Sequence, residues 1–79
     1  MKVKWRKLMF KKGDLVRIRE KALTSKDGTN RKWVAEHGYL WLVVWVQGQI
    51  VRCKALSTGW DNGSRGALWY ADELEKASE

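Results

Sequence analysis

The sequence predicts an all-β domain: a small barrel or strongly bent sheet of four to five antiparallel strands, with a short helical turn near the C-terminus. Three observations predict it. The run Tyr39-Leu-Trp-Leu-Val-Val-Trp-Val46 is β-branched and aromatic throughout, which suits a pleated strand. A second run, Gln49-Ile-Val-Arg-Cys-Lys-Ala-Leu56, follows it after only Gln47-Gly48, the spacing of a two-residue hairpin. Seven glycines and no proline punctuate the chain, and short strands between glycine-bearing loops are the pattern of a small barrel or bent sheet. A lone hairpin is marginal in water, so the sheet has to fold onto itself to bury a face.

With 79 residues there is room for one domain and little volume for an internal substrate cavity. An apolar content of 44% against 32% charged residues is a globular mixture rather than a disordered one. The longest apolar run, Tyr39 to Val46, falls well short of the ~20 residues of a spanning helix. The segment from Met1 to Phe10 is basic and lacks the apolar block and cleavage site of a signal peptide. A cytoplasmic location and no membrane partner are therefore expected. Cys53 is the only cysteine, so no internal disulfide forms and a reducing compartment fits.

Residues 1–11 read as a basic N-terminal arm or edge strand, and residues 12–77 as the folded domain. In Asp14-Leu-Val-Arg-Ile-Arg-Glu20, Val16 and Ile18 share one face, expected to point inward, and Leu15, Arg17 and Arg19 share the other. Residues 21–32 read as a long basic loop, with Asp27-Gly28 as a candidate hairpin tip, and Trp33-Val-Ala-Glu-His37 suits either a helical turn or a short strand. A loop at Gln47-Gly48 sets the hairpin register. Val46 then faces Gln49, and Val44, Leu42 and Leu40 face Val51, Cys53 and Ala55, all aliphatic or small and suited to a core. On the opposite face Trp45 meets Ile50, Val43 meets Arg52 and Trp41 meets Lys54. A one-residue slip would bury Arg52 and Lys54, at a cost of several kcal/mol per ion. Residues 57–66 form a glycine-rich loop, Ala67-Leu-Trp-Tyr70 a short strand, and Ala71–Ala77 a helical turn anchored by Leu74.

Three pieces of the chain, Lys12-Gly13-Asp14-Leu15-Val16-Arg17-Ile18, Gly38 before the long strand, and Trp69-Tyr70-Ala71-Asp72-Glu73-Leu74-Glu75, together resemble the SH3-like small barrels, in particular those with a KOW-type or related opening. The resemblance implies that Gly-Asp-x-Val-x-Ile starts the first strand. It also implies that the acidic Leu-Glu segment follows the penultimate strand as one helical turn. The insert at residues 21–37 departs from it, since the family has a short glycine-containing turn there. Such barrels include ribosomal, transcription-factor, chromatin and protein-binding modules, and fold alone does not choose among them.

Charge and aromatic content point to a function. Net charge is +7, with twelve Lys and Arg against three acids in residues 1–32 and four against six in residues 33–79. A basic end of this kind suits a polyanionic partner, DNA or RNA. It equally suits a solvated basic face, or a lysine-rich edge that blocks aggregation. Of the six tryptophans, Trp69 and Trp33 are expected to fill the core. Trp41 and Trp45 lie on the face away from the aliphatics, either covered by the N-terminal segment and the 21–37 insert, or exposed. If exposed, they form with Arg17, Arg19, Arg52 and Lys54 a platform that stacks bases and neutralises phosphates. Lys2, Lys4, Arg6 and Lys7 add electrostatic affinity.

Catalysis is not indicated. The loop Gly59-Trp-Asp-Asn-Gly-Ser-Arg-Gly66 lacks the phosphate-loop pattern and precedes a strand. His37 is the sole histidine, and with Cys53 and scattered carboxylates it makes neither a metal site nor a triad. Asp72, Glu73 and Glu75 cluster without the setting of an acid–base pair. No cofactor or metal is expected. The reading is a small basic nucleic-acid-binding domain. Its alternative is a protein-interaction module, either self-associating or a phage or mobile-element accessory protein acting on a host protein.

Overall fold

The computed structural model describes residues 10–24 and 28–77. The strands are β1 (Leu15–Ile18), β2 (Leu40–Gln47), β3 (Ile50–Ala55), β4 (Ala67–Tyr70) and β5 (Leu74–Lys76), with one helix, α1 (Thr29–His37), and 3-10 turns at Glu20–Thr24 and Ala71–Glu73. The strands form one antiparallel sheet in the order β4-β3-β2-β1-β5. No described helix is long and apolar enough to cross a membrane.

β4 and β5 are opposite edges, yet only the turn Ala71–Glu73 connects them. Across a flat sheet of this width the edges would lie ~19 Å apart, at ~4.8 Å per strand. The four steps from Tyr70 to Leu74 reach at most ~14 Å. The sheet is therefore strongly coiled, and its edges approach each other at this end. No ladder joins β4 to β5 among the described residues, so the expected closure into a barrel does not occur. The turn is instead held from both sides, with the Ala71 N–H donating to the Gln49 carbonyl at 2.8 Å and the Arg19 N–H to the Glu73 carbonyl at 2.8 Å.

β1 follows the expected alternation, with Val16 and Ile18 buried, Arg17 and Arg19 exposed and Leu15 half-buried. The hairpin register differs from expectation. The two loop residues are Gly48 and Gln49, because glycine, here at φ +60°, takes the first loop position. That is where a primed hairpin turn needs a left-handed residue. Gln47 pairs with Ile50, Val46 with Val51 and Trp45 with Arg52. The register then shifts between Val43 and Trp45, where Val44 forms a β-bulge, and beyond it Val43 pairs with Cys53, Leu42 with Lys54 and Trp41 with Ala55. A bulge exchanges the two faces of a strand. Trp41, Val43 and Val46 therefore face the core, while Leu40, Leu42 and Trp45 face out. β3 keeps the expected phase, with Val51, Cys53 and Ala55 buried, Arg52 half-buried and Lys54 exposed.

The loop expected at residues 21–32 is largely replaced by the 3-10 turn Glu20–Thr24 and the start of α1, and of the two readings of residues 33–37 the helical one holds. Thr29–His37 is helical, opened by Gly28 at φ +74° and closed by Gly38, whose N–H donates to the Val34 carbonyl at 2.7 Å. Asn30 fixes the helix in place: its amide donates to the Ala22 carbonyl at 2.8 Å and to Glu73 Oε2 at 3.2 Å. Val34 is buried and Trp33 packs against the core. Near the C-terminus the helical turn stops at Glu73. Leu74, fully buried as the anchor, begins a strand that supplies β1 with its second partner.

Candidate nucleic-acid interface

The outer face of β2–β3 carries the expected cations. Trp45 is 52% exposed. It stands directly opposite Arg52 in the ladder, with the guanidinium 5.7 Å from its ring centroid, within cation–π range. Lys54 is exposed two residues further along β3 on the same face, opposite Leu42. On the other side of Arg52 lies Leu68, and beyond it Ile50 pairs with Tyr70, which is also 52% exposed.

Arg52 is held from above. A Cβ at Gly66 would lie 2.8 Å from Arg52 Cβ and 3.3 Å from Val44 Cγ2, so the loop backbone rests on the arginine's stem. The Gly66 N–H donates to the Asp61 carbonyl at 2.8 Å, and the Ser64 N–H to Asp61 Oδ1 at 2.9 Å, closing the loop over it. Arg52 Nε is buried with no hydrogen-bond partner among the described residues. Neither Arg52 nor Lys54 has a carboxylate partner among them.

The cations on the β1 side are differently placed. Arg17 lies 3.4 Å from Glu75 Oε2 and 5.6 Å from the Tyr39 ring centroid. Lys21 pairs with Asp72 at 3.3 Å, and Arg19 donates to the Asp72 carbonyl at 3.2 Å. Lys2, Lys4, Arg6 and Lys7 lie outside the described residues.

Trp41 does not belong to this face. It is fully buried, its indole N–H donates to the Gly38 carbonyl at 3.0 Å, and its ring meets Trp69 edge-on at 5.3 Å and Trp60 at 6.2 Å. Trp33 meets Trp60 and Trp69 at 5.3 and 5.6 Å. Four tryptophans thus pack together within the domain. The bulge turned Trp41 inward, and a lone bulge leaves no mark in an unbroken apolar run. His37 joins them, stacked on Trp60 at 4.5 Å with the rings within 8° of parallel. Its Nδ1 lies 2.8 Å from Thr58 Oγ1, which ties the end of α1 to the 57–60 loop. Cys53 is buried, and burial pushes its thiol up to about 12, which makes it inert.

Sequence reasoning also missed a slot at the other end of the hairpin. His37, Gly38, Tyr39, Leu40, Leu56 and Ser57 line an open cavity of about 180 Å³. Tyr39, Leu40 and Leu56 are 38%, 40% and 48% exposed. The Leu56 N–H donates to the Leu40 carbonyl at 3.1 Å and the Ser57 hydroxyl to the His37 carbonyl at 2.9 Å, which fixes its walls. No protein-family model, curated protein or solved structure matches the chain.

Proposed function

We propose that the protein binds nucleic acid, without catalysis, through the outer face of β2–β3. The observation that carries this is the rung Trp45–Arg52 beside Lys54: an exposed indole next to two cations with no carboxylate partner among the described residues. Stacked bases need the first and phosphates the second. Arg17 and Arg19 are secondary contributors, because the C-terminal segment already engages them. Lys2, Lys4, Arg6 and Lys7 add non-specific attraction. The resemblance to SH3-like barrels belongs to the same reading, supported by the 3-10 turn Ala71–Glu73 between the last two strands. So does a cytoplasmic location, where a free Cys53 stays reduced.

The test is a salt titration of binding to DNA and RNA. Wild type is expected to bind at ~50 mM salt and weaken linearly on a log–log plot, and Arg52→Gln/Lys54→Gln to lower the slope by about 1 to 2. Absence of binding at that salt rejects the proposal. A protein-interaction reading draws on the exposed Tyr39, Leu40, Leu56 and Tyr70. Light scattering that finds a tight dimer with Trp45 buried would favour self-association instead.

A further inference from the structure

We infer that the ligand is a single strand, and that its path runs along the hairpin from the Tyr39–Leu40–Leu56 slot, past Lys54, to Arg52 and Trp45. The inference rests on the nucleic-acid reading and sharpens it. A duplex suits this face less well than an unpaired strand does. The major groove, ~12 Å wide, admits a helix or a two-stranded ribbon, but β2–β3 is flanked by β1 on one side and β4 on the other and cannot enter as a ribbon. Stacking an indole on a paired base also means unstacking it from its neighbours, at a cost of a few kcal/mol that an unpaired strand largely avoids.

An unpaired strand meets complementary groups in sequence. The slot is apolar, bounded by an aromatic ring, open to solvent and of a size for one planar ring system. Next along the same face stands Lys54, opposite Leu42, and then Arg52, opposite Trp45. From Leu40 to Trp45 the strand spans about 17 Å, the length of about five stacked nucleotides at ~3.4 Å each. A base in the slot and a base on Trp45 would thus bracket a backbone that lies over the two cations.

The test measures binding of a fluorescein-labelled, mixed-sequence DNA of about 12 nucleotides and an RNA of the same sequence, each as a single strand and as a duplex, at ~50 mM salt by anisotropy. The single strand is expected to bind at least ten-fold tighter than the duplex. Tyr39→Ala/Leu56→Ser is expected to weaken the single strand about ten-fold and leave the duplex unchanged. Leu56→Ser alone, at an exposed position outside the core, supplies a folded variant should the pair unfold, with a smaller loss of the same kind. Equal or tighter duplex binding overturns the inference, as does single-strand affinity that ignores the slot. If wild type binds neither form, the nucleic-acid reading fails first and takes this path with it.

Discussion

On the β1 side of the sheet, Arg17, Arg19 and Lys21 each contact the C-terminal segment, through Glu75 or Asp72. On β3, Arg52 and Lys54 contact no carboxylate among the described residues. Along the chain the charge lies the other way: residues 1–32 hold the excess of Lys and Arg, and residues 33–79 the excess of acids. Folding brings β5 against β1 and sets acids from the end of the chain on Arg17 and Lys21 from its start. Among the described residues, Arg52 and Lys54 thus stay without a carboxylate partner in the half that is acidic by count, while Lys12 and Lys32 do so in the basic half. Net charge says how many cations a chain has, and the sheet order says which of them remain available.

The same contrast divides the two tryptophans of β2, and substituting them breaks it most sharply. Trp41→Ala would open a cavity beneath α1 beside Trp69 and Trp60. It is expected to cost ~3–5 kcal/mol, most of the stability of a domain this small. Trp45→Ala, at a half-exposed position, is expected to change stability by less than ~1 kcal/mol and to weaken nucleic-acid binding. Chemical denaturation of both variants checks the first claim. A Trp45 variant as unstable as the Trp41 one would mean that the outer face is structural.

Gly66 tests how firmly the β3 side is built. It is buried at φ +85°, with Arg52 Cβ in the space a side chain needs. Gly66→Ala combines left-handed strain with a clash, for an expected loss of ~1–3 kcal/mol. Because the displaced atom belongs to Arg52, binding should fall with stability. The neighbouring Gly63, at φ +73° with open space around it, supplies the control: Gly63→Ala carries the strain alone and should leave affinity unchanged. Equal affinity losses in the two variants would show that the loop does not position Arg52.

Much of the fold was legible because period-2 patterns survive in single strands. Val16 and Ile18 in β1, and Val51, Cys53 and Ala55 in β3, face inward as their alternation requires. β2 was misread because every residue from Tyr39 to Val46 is apolar, so its own pattern does not say which set faces the core. That choice fell to the turn glycine and to the unpaired Val44, two features that move the register without altering composition. The helix was only half legible, with Trp33–His37 open between helical turn and strand and Thr29–Lys32 read as loop, for a related reason. It has nine residues, and only Val34 on it is buried, too short a stripe to show a 3.6-residue period. Arg52 and Lys54 were found because β3 does alternate. The slot was not, because Tyr39, Leu40 and Leu56 meet only once the bulge has turned Leu40 outward.

The smallest expected effect bears most directly on the difference between the two sides. Arg17 and Glu75 are both about half exposed, at 54% and 49%, so their pair adds little to stability, within ~0–1 kcal/mol. If that carboxylate is what withholds Arg17 from anions, Glu75→Gln should leave the unfolding curve in place. It should tighten single-strand binding two- to three-fold and steepen the log–log salt slope by up to about 0.7, the value for one added phosphate contact. Arg17 already lies over Tyr39 at the mouth of the slot, so the gained contact falls on the inferred path. Should Glu75→Gln move neither affinity nor slope, local pairing would not decide which cations bind. The long-range field of the whole chain would then be the better description of this surface.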